Sequence, residues 1–468
     1  MTASDFIKES SNDVRATSHD ATTSAELLES FFSSMNANPT EEKAKNLFQF
    51  FKFLPKIELH AHLNGCIRES TLFELARDRN VTLSSLLSEF KFDLLGPQQQ
   101  SYQLEQRQRR SLTECFQIFK EISKCVTDLD AIYRITLEAL EDFAEQNVAY
   151  LELRSTPKSL KRKISSGSSA SSMCTKKEYI ETILKAMEEF STKEKERYDR
   201  EVKNCKEQKA MDYPSVSLSS FVRLPLIPRL IISIDRSGSI DDAKEHTSLA
   251  IDFAKAKNPF VVGLDLSGDP MKNDFDCLKE QFQRVREFGL KTAIHCGEIP
   301  CCDNLEGCED DLMRFAFREA HSIVSFKPDR LGHALLLPQT VIKELDEMEE
   351  KIPIECCPTS NVMTLELCSK SKGNLVEGLR IHPNLASWLS TGYPFSISTD
   401  DPGLFHTNST RELILVLEAF DSNPVDLVQL VLRSVDHTFE SECFKEILKH
   451  SMAEQIETIV KMMSALKN

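Results

Sequence analysis

The sequence contains no run of about 18 uncharged apolar residues, so nothing in it is suited to crossing a bilayer. It also lacks a basic excess: 57 Lys and Arg stand against 73 Asp and Glu, for a net charge of −16. General nucleic-acid binding needs a basic face to neutralise phosphates and is therefore not expected. A small basic pocket for one anionic ligand stays compatible with that balance. The first twenty residues have no apolar h-region and carry acids early, which argues against a secretory signal or a transit peptide. The expected setting is soluble and cytoplasmic, and the expected state is a monomer. The 14 cysteines include no C-x-x-C pair, so a zinc ribbon or knuckle is not expected and reduced thiols are.

Apolar residues make up 41% of the 468, slightly low for an enzyme, as if polar segments dilute an ordinary core. Residues 1–45 are rich in Ser, Thr, Asn, Ala and Glu and read as a flexible tail with one short helix at most. Residues 159–177, SLKRKISSGSSASSMCTKK, cannot support a core and read as a disordered insert. Residues 191–215 are densely charged, as at the end of a long exposed helix and a following linker. The remainder, 46–468, reads as a single domain.

Eight short, β-branched apolar runs punctuate that domain: KIELHAHL (56–63), VAYLELRS (148–155), RLIISID (229–235), VVGLDLS (261–267), KTAIHCG (291–297), DRLGHAL (329–335), IPIECCP (352–358) and FSISTDD (395–401). Helical patterns follow most of them. Strands alternating with helices imply parallel pairing with right-handed crossovers. Eight such units predict an α/β fold, a TIM (β/α)8 barrel with extra helices and insertions. In such a barrel the chemistry sits at the C-terminal strand ends. Those ends are repeatedly polar here, a need that a purely structural barrel does not have.

IELHAHLNG (57–65) poses the sharpest case. On a strand, His60, His62 and Asn64 share one face at a spacing of ~6.6 Å. Two imidazoles so placed can converge on one zinc or simply form a hydrogen-bonded pair. His295 ends the fifth run, with Glu298 three residues on, past Gly297. Asp400 ends the eighth, which lies beside the first in a closed barrel. Three histidines and a carboxylate make an N/O set for one zinc per subunit, and cobalt would also fit. His333 ends the sixth run between them.

With HAHLNG stand LDLSGDP (264–270), IHCGE (294–298), LGH (331–333), CPTSN (357–361) and STDDP (398–402), in this order. The chain thereby resembles the adenosine/AMP deaminase family of metal-dependent hydrolases. The resemblance implies that His60, His62, His295 and Asp400 hold zinc, whose bound water, acidified towards ~7, attacks C6 of a purine. It makes Glu298 the proton donor to N1 and His333 the group that orients and stabilises the attacking oxygen. Asp401 would hydrogen-bond N7, and Gly268 would bring backbone against N3.

Adenosine deaminases generally carry HxHLDG, whereas this chain has Asn64. A carboxylate there would repel a 5′-phosphate by about 4 kcal/mol per charge pair at ~4 Å and an effective dielectric of 20. An amide removes that repulsion and can donate. Ser155, Thr156, Pro157 and Lys158 offer hydroxyls and a lysine suited to phosphate oxygens. HAHLNG with LRSTP looks like the adenosine deaminase-like branch, whose reaction converts N6-methyl-AMP and water to IMP and methylamine. Asp235 matches a further nucleotide contact of that branch. Ser123 stands where the branch tends to carry a histidine, and LGHA replaces LGHG. The competing readings are an adenosine deaminase and an inactive binding protein on the same barrel. A binuclear amidohydrolase lacks its fourth-strand lysine, and a cytidine-type deaminase lacks H-x-E with P-C-x-x-C.

Overall fold

The computed structural model describes residues 21–35, 40–84, 111–161, 172–210, 221–306 and 308–465. Its eight parallel strands are β1 Lys56–His62, β2 Val148–Ser155, β3 Ile227–Asp235, β4 Val261–Ser267, β5 Lys291–Cys296, β6 Arg330–His333, β7 Ile354–Cys356 and β8 Phe395–Ile397. Each pairs with the next in chain order, and helices cover the outside. The seam closes through one bridge, Ala61 to Asp400. This is the expected TIM barrel.

Leu59 and Ala61 of β1 join the hydrophobic core, while Glu58, His60 and His62 alternate with them and face the barrel interior. That interior is unusually polar. Arg154, Asp265, Arg330 and Glu355 are all buried to within 1% of full burial. A TIM barrel more often fills those layers with branched aliphatic side chains.

Three expectations need correction. The chain before residue 46 is not wholly a tail: α1 (Ala21–Met35) and α2 (Thr40–Phe53) are helical, with Leu28, Phe31, Phe32 and Met35 buried. α1 rests against the last helix, α6 (Glu442–Ala465), and Phe32 meets Phe50 edge-on at 4.9 Å. Burying each such side chain contributes about 1.5–3 kcal/mol, enough to dock a single helix. Residues 1–20 and 36–39 lie outside the described residues.

The insert at 159–177 is likewise tied at both ends. Leu160 and Cys174 are buried, and Cys174 donates its N–H to the Leu160 carbonyl at 2.8 Å. Lys161 bridges to Met173, and helix α4 (Lys176–Ala210) already begins within it. Residues 162–171 lie outside the described residues, as do 211–220 of the expected linker. The charged stretch of α4 is not all exposed. Glu194 is buried beneath Arg223 and Arg197, whose guanidinium groups lie 2.6 and 3.0 Å from its carboxylate.

Asn64 is the third. β1 stops at His62, and Leu63–Cys66 forms a 3₁₀ turn, in keeping with the low strand preference of Asn and Gly. All 14 cysteines are free thiols, as expected.

Candidate active site

β1 brings His60 and His62 to the mouth of the barrel, β5 brings His295, and the residue at the seam is Asp400. His62 Nε2 lies 3.2 Å from His295 Nε2, and Asp400 Oδ1 lies 3.5 Å from Nε2 of both His60 and His62. Ligand atoms of His60, His62 and His295 all fall within 4.8 Å of one another, as do those of His60, His333 and Asp400.

The hydrogen bonds behind the rings decide which nitrogen is left for a ligand. His60 Nδ1 donates to Glu355 Oε2 at 2.6 Å, and His295 Nδ1 faces Asp265 Oδ1 at 3.1 Å. A carboxylate can only accept, so each neutral ring keeps its proton on Nδ1 and turns the Nε2 lone pair inward. Lone pairs then face lone pairs and the Asp400 carboxylate. His60 Nε2 is buried without a hydrogen-bond partner among the described residues. Burial and Arg154 oppose charge on His60, yet Glu355 and Asp400 outweigh them and lift it to about 9. The site favours a positive charge at this point, and a metal ion can supply it in place of a second proton. Burial meanwhile lowers His62 to about 3, which keeps it neutral. The four residues fit a zinc-type ion.

Beneath them, Arg154 donates to Asp265 Oδ1 at 3.0 Å and to Glu355 Oε2 at 2.8 Å. One guanidinium thus joins the two carboxylates that orient His60 and His295. Arg330 adds a 2.6 Å bond to the other oxygen of Glu355 and pairs with Glu152. Ser360 Oγ donates to Asp400 Oδ2 at 2.7 Å.

Across the cleft, Glu298 follows Gly297, whose φ of +73° suits glycine. Glu298 Oε1 lies 3.8 Å from His333 Nε2. Burial raises the pKa of Glu298, and the Asp400 charge adds to it. Burial and Asp400 push Asp401 well above the usual carboxylate range. Asp400 itself is held well below that range: burial opposes this, but His60, His333 and His62 prevail. Two neighbouring acids are thereby set to opposite tasks, one to donate and one to bind.

A Cβ on Gly65 would fall 1.7 Å from Asp401 Oδ1, which explains the glycine of HLNG. A Cβ on Gly268, at φ +92°, would fall 2.3 Å from Asp235 Oδ1. His333 and Asp400 adopt φ of +60° and +62° without being glycine. Such backbone is costly and recurs where a site over-determines its geometry.

The cleft has a volume of about 170 Å³. Asn64, Ser123, Ser155, Thr156, Lys158, Asp235, Gly268 and Asp401 line it with His62, His295, Glu298, His333 and Asp400. His60 lies behind them, fully buried. Pro157 is buried and does not reach the cleft, which departs from its expected place in the substrate contacts. The Ser155 hydroxyl is shared with Tyr179 OH at 2.8 Å, so it faces the cleft already engaged. Lys158 Nζ lies 3.4 Å from Ser123 Oγ, and burial lowers its pKa against the pull of Asp235.

Sequence reasoning named only one residue, Ser123, of a further wall. Helix α3 (Leu112–Cys125) presents Leu112, Cys115, Phe116, Phe119 and Ser123 to the cleft. Their i, i+3, i+4, i+7 spacing follows a capping box, Ser111 with Glu114, and both signals are present in the letters. It also missed Asp265 and Glu355, although a lone acid inside an apolar strand is a visible anomaly.

Donors of this kind at the mouth of a parallel barrel define a metal-dependent hydrolase. The family model for adenosine deaminase matches residues 55–455. An N6-methyl-AMP deaminase-L of Xenopus laevis is 31% identical over 404 residues, covering 86% of this chain and 94% of its own. An N6-mAMP deaminase of Arabidopsis thaliana is 31% identical over 401 residues, covering 86% and 97%. The crystal structure of the Arabidopsis N6-mAMP deaminase superposes with a TM-score of 0.62 at 28% identity, over 87% of this chain and 99% of that one. The chain belongs to the adenosine deaminase family and is a hydrolytic deaminase.

Proposed function

We propose that this enzyme hydrolyses N6-methyl-AMP to IMP and methylamine, with zinc held by His60, His62, His295 and Asp400. Bound there, zinc would lower the pKa of water towards ~7, which would make hydroxide available at neutral pH. Glu298, kept protonated by burial, gives its proton to purine N1 as oxygen adds at C6. The ring then accepts attack without building up negative charge, and the C6–N6 bond breaks as the proton of the added hydroxyl passes to N6, leaving a C6 carbonyl and neutral methylamine. Asp401, also protonated, donates to N7. His333 faces the incoming oxygen, and the bare backbone of Gly268 lies against N3. The cytoplasmic, monomeric setting expected above remains part of this reading.

The observation that carries the nucleotide reading is the lining of the cleft. It holds an amide at Asn64, and Lys158 Nζ stands beside Ser123 Oγ. The Arabidopsis relative, whose structure has been solved in complex with IMP, supports a 5′-monophosphate ligand. Ser123 favours the second reading, an adenosine deaminase, because it brings no positive charge to a phosphate. Turnover of adenosine, AMP and N6-methyl-AMP, with metal content measured on the same sample, separates the two. The highest kcat/KM is expected for N6-methyl-AMP, and adenosine as best substrate would overturn the proposal.

A further inference from the structure

A line of three buried side chains leads from the helical shell to His333. At its outer end, His382 Nδ1 accepts the backbone N–H groups of Asn384 at 3.2 Å and Leu385 at 3.0 Å. An amide N–H can only donate, so the proton of this ring sits on Nε2. Burial lowers His382 to about 3, and the ring is neutral. Its Nε2–H donates to Asn361 Oδ1 at 3.2 Å. The N–H of Cys357 donates to the same oxygen at 3.3 Å, which settles which end of the amide is which. The other end, Asn361 Nδ2, has only protons to offer and lies 3.1 Å from His333 Nδ1.

His333 Nδ1 is therefore an acceptor, and a neutral His333 carries its proton on Nε2. That nitrogen faces the cleft, 3.8 Å from Glu298 Oε1 and 3.9 Å from Asp400 Oδ2. The surrounding backbone is held by the same segment. Asn384 Nδ2 donates to the carbonyls of Ala334 at 2.8 Å and Leu335 at 2.7 Å, beside the strained turn at His333 and Ala334.

We propose that Asn361 and His382 are positioning residues that fix His333 as its Nε2–H tautomer, so that it enters the reaction as a hydrogen-bond donor to the incoming oxygen. A base at that place would need a lone pair on Nε2, and the relay puts the lone pair on the other side of the ring. The role in catalysis rests on the deaminase reading, but the tautomer does not.

Long-range ¹H–¹⁵N spectra of histidine-labelled, metal-loaded protein test the tautomer directly. His333 and His382 are assigned by the signals lost in His333→Gln and His382→Gln. Both rings are expected to be neutral, with Nε2 protonated and Nδ1 bare. A proton on His333 Nδ1 would overturn the proposal even if deamination proceeds. Should no purine be deaminated, the tautomer result still stands, and the two failures are told apart.

The variant arm uses Asn361→Leu, which removes the donor facing Nδ1 and no longer selects a tautomer. It should lower kcat by roughly tenfold or more while metal content and IMP affinity stay within about threefold. His382→Gln keeps a donor for Asn361 and should retain activity within about fivefold, whereas His382→Leu should lose about tenfold or more. Full activity of Asn361→Leu, or equal losses in both His382 variants with an unmoved tautomer, would reduce the line to packing and sink the idea.

Discussion

The backbone N–H of Asp400 donates to the carbonyl of His60 at 2.8 Å. The Asp400 carbonyl in turn accepts from His62 N–H at 2.9 Å. The seam of the barrel and the metal-type cluster are therefore built from the same residues. Backbone atoms hold the two strand ends together, and the side chains that emerge there have no freedom to drift apart.

Because the seam uses backbone atoms, Asp400→Asn should fold while losing its metal. Asparagine tolerates the φ of +62° at this position. We expect near-native circular dichroism with metal content and turnover close to background, and the same metal loss in His60→Ala. Stoichiometric metal in either variant, measured by mass spectrometry, would contradict the assignment.

Glu298→Gln should bind IMP about as tightly as the parent and lose kcat by roughly 10²- to 10⁴-fold. Because burial raises the Glu298 pKa, its active acid form persists above the usual carboxylate range. The rate should then fall as pH rises through that raised pKa. A pH profile in which Glu298→Gln keeps the same alkaline limb would assign the limb to another group.

Asn64→Asp places a carboxylate in the lining of the cleft. The ratio of kcat/KM for AMP-type over adenosine-type substrates should drop at least about tenfold, against a Coulomb ceiling near ~4 kcal/mol. An unchanged ratio would remove the electrostatic account of this position.

Glu412 tests the stability side. It accepts the N–H of Thr359 at 2.9 Å and the hydroxyl of Thr407, and burial raises its pKa from 4.5 to about 7. The folded state keeps a proton that the unfolded chain releases above pH 4.5. Its stabilising contribution is thus complete below that pH and lost as pH rises through about 7, by up to about 3 kcal/mol. Glu412→Gln should flatten this part of the pH dependence of Tm. An identical slope in both proteins would show that other groups set it.

The barrel was legible because its strands are short apolar runs bounded by polar ends. β2 and β4 coincide with the expected spans, 148–155 and 261–267. β6 and β7 are shorter than expected. The chain turns through positive φ at His333 and Ala334, and Pro358 starts helix α5 (Pro358–Thr364). The metal-type donors were legible because each lies in a compact motif at a strand end. The wall formed by α3 was not, since its apolar stripe reads like any core-facing helix until the fold turns it towards the cleft. Arg154 drew no reading of its own within VAYLELRS, and only its two carboxylate partners show it working beneath the histidines.

The docking of α1 has a practical outcome for anyone who shortens this protein. The family match starts at residue 55, and cutting there would delete α1 and α2 together and uncover the face of α6 on which α1 rests. Such a trimmed enzyme should clump when expressed, so a minimal version ought to begin ahead of Ala21.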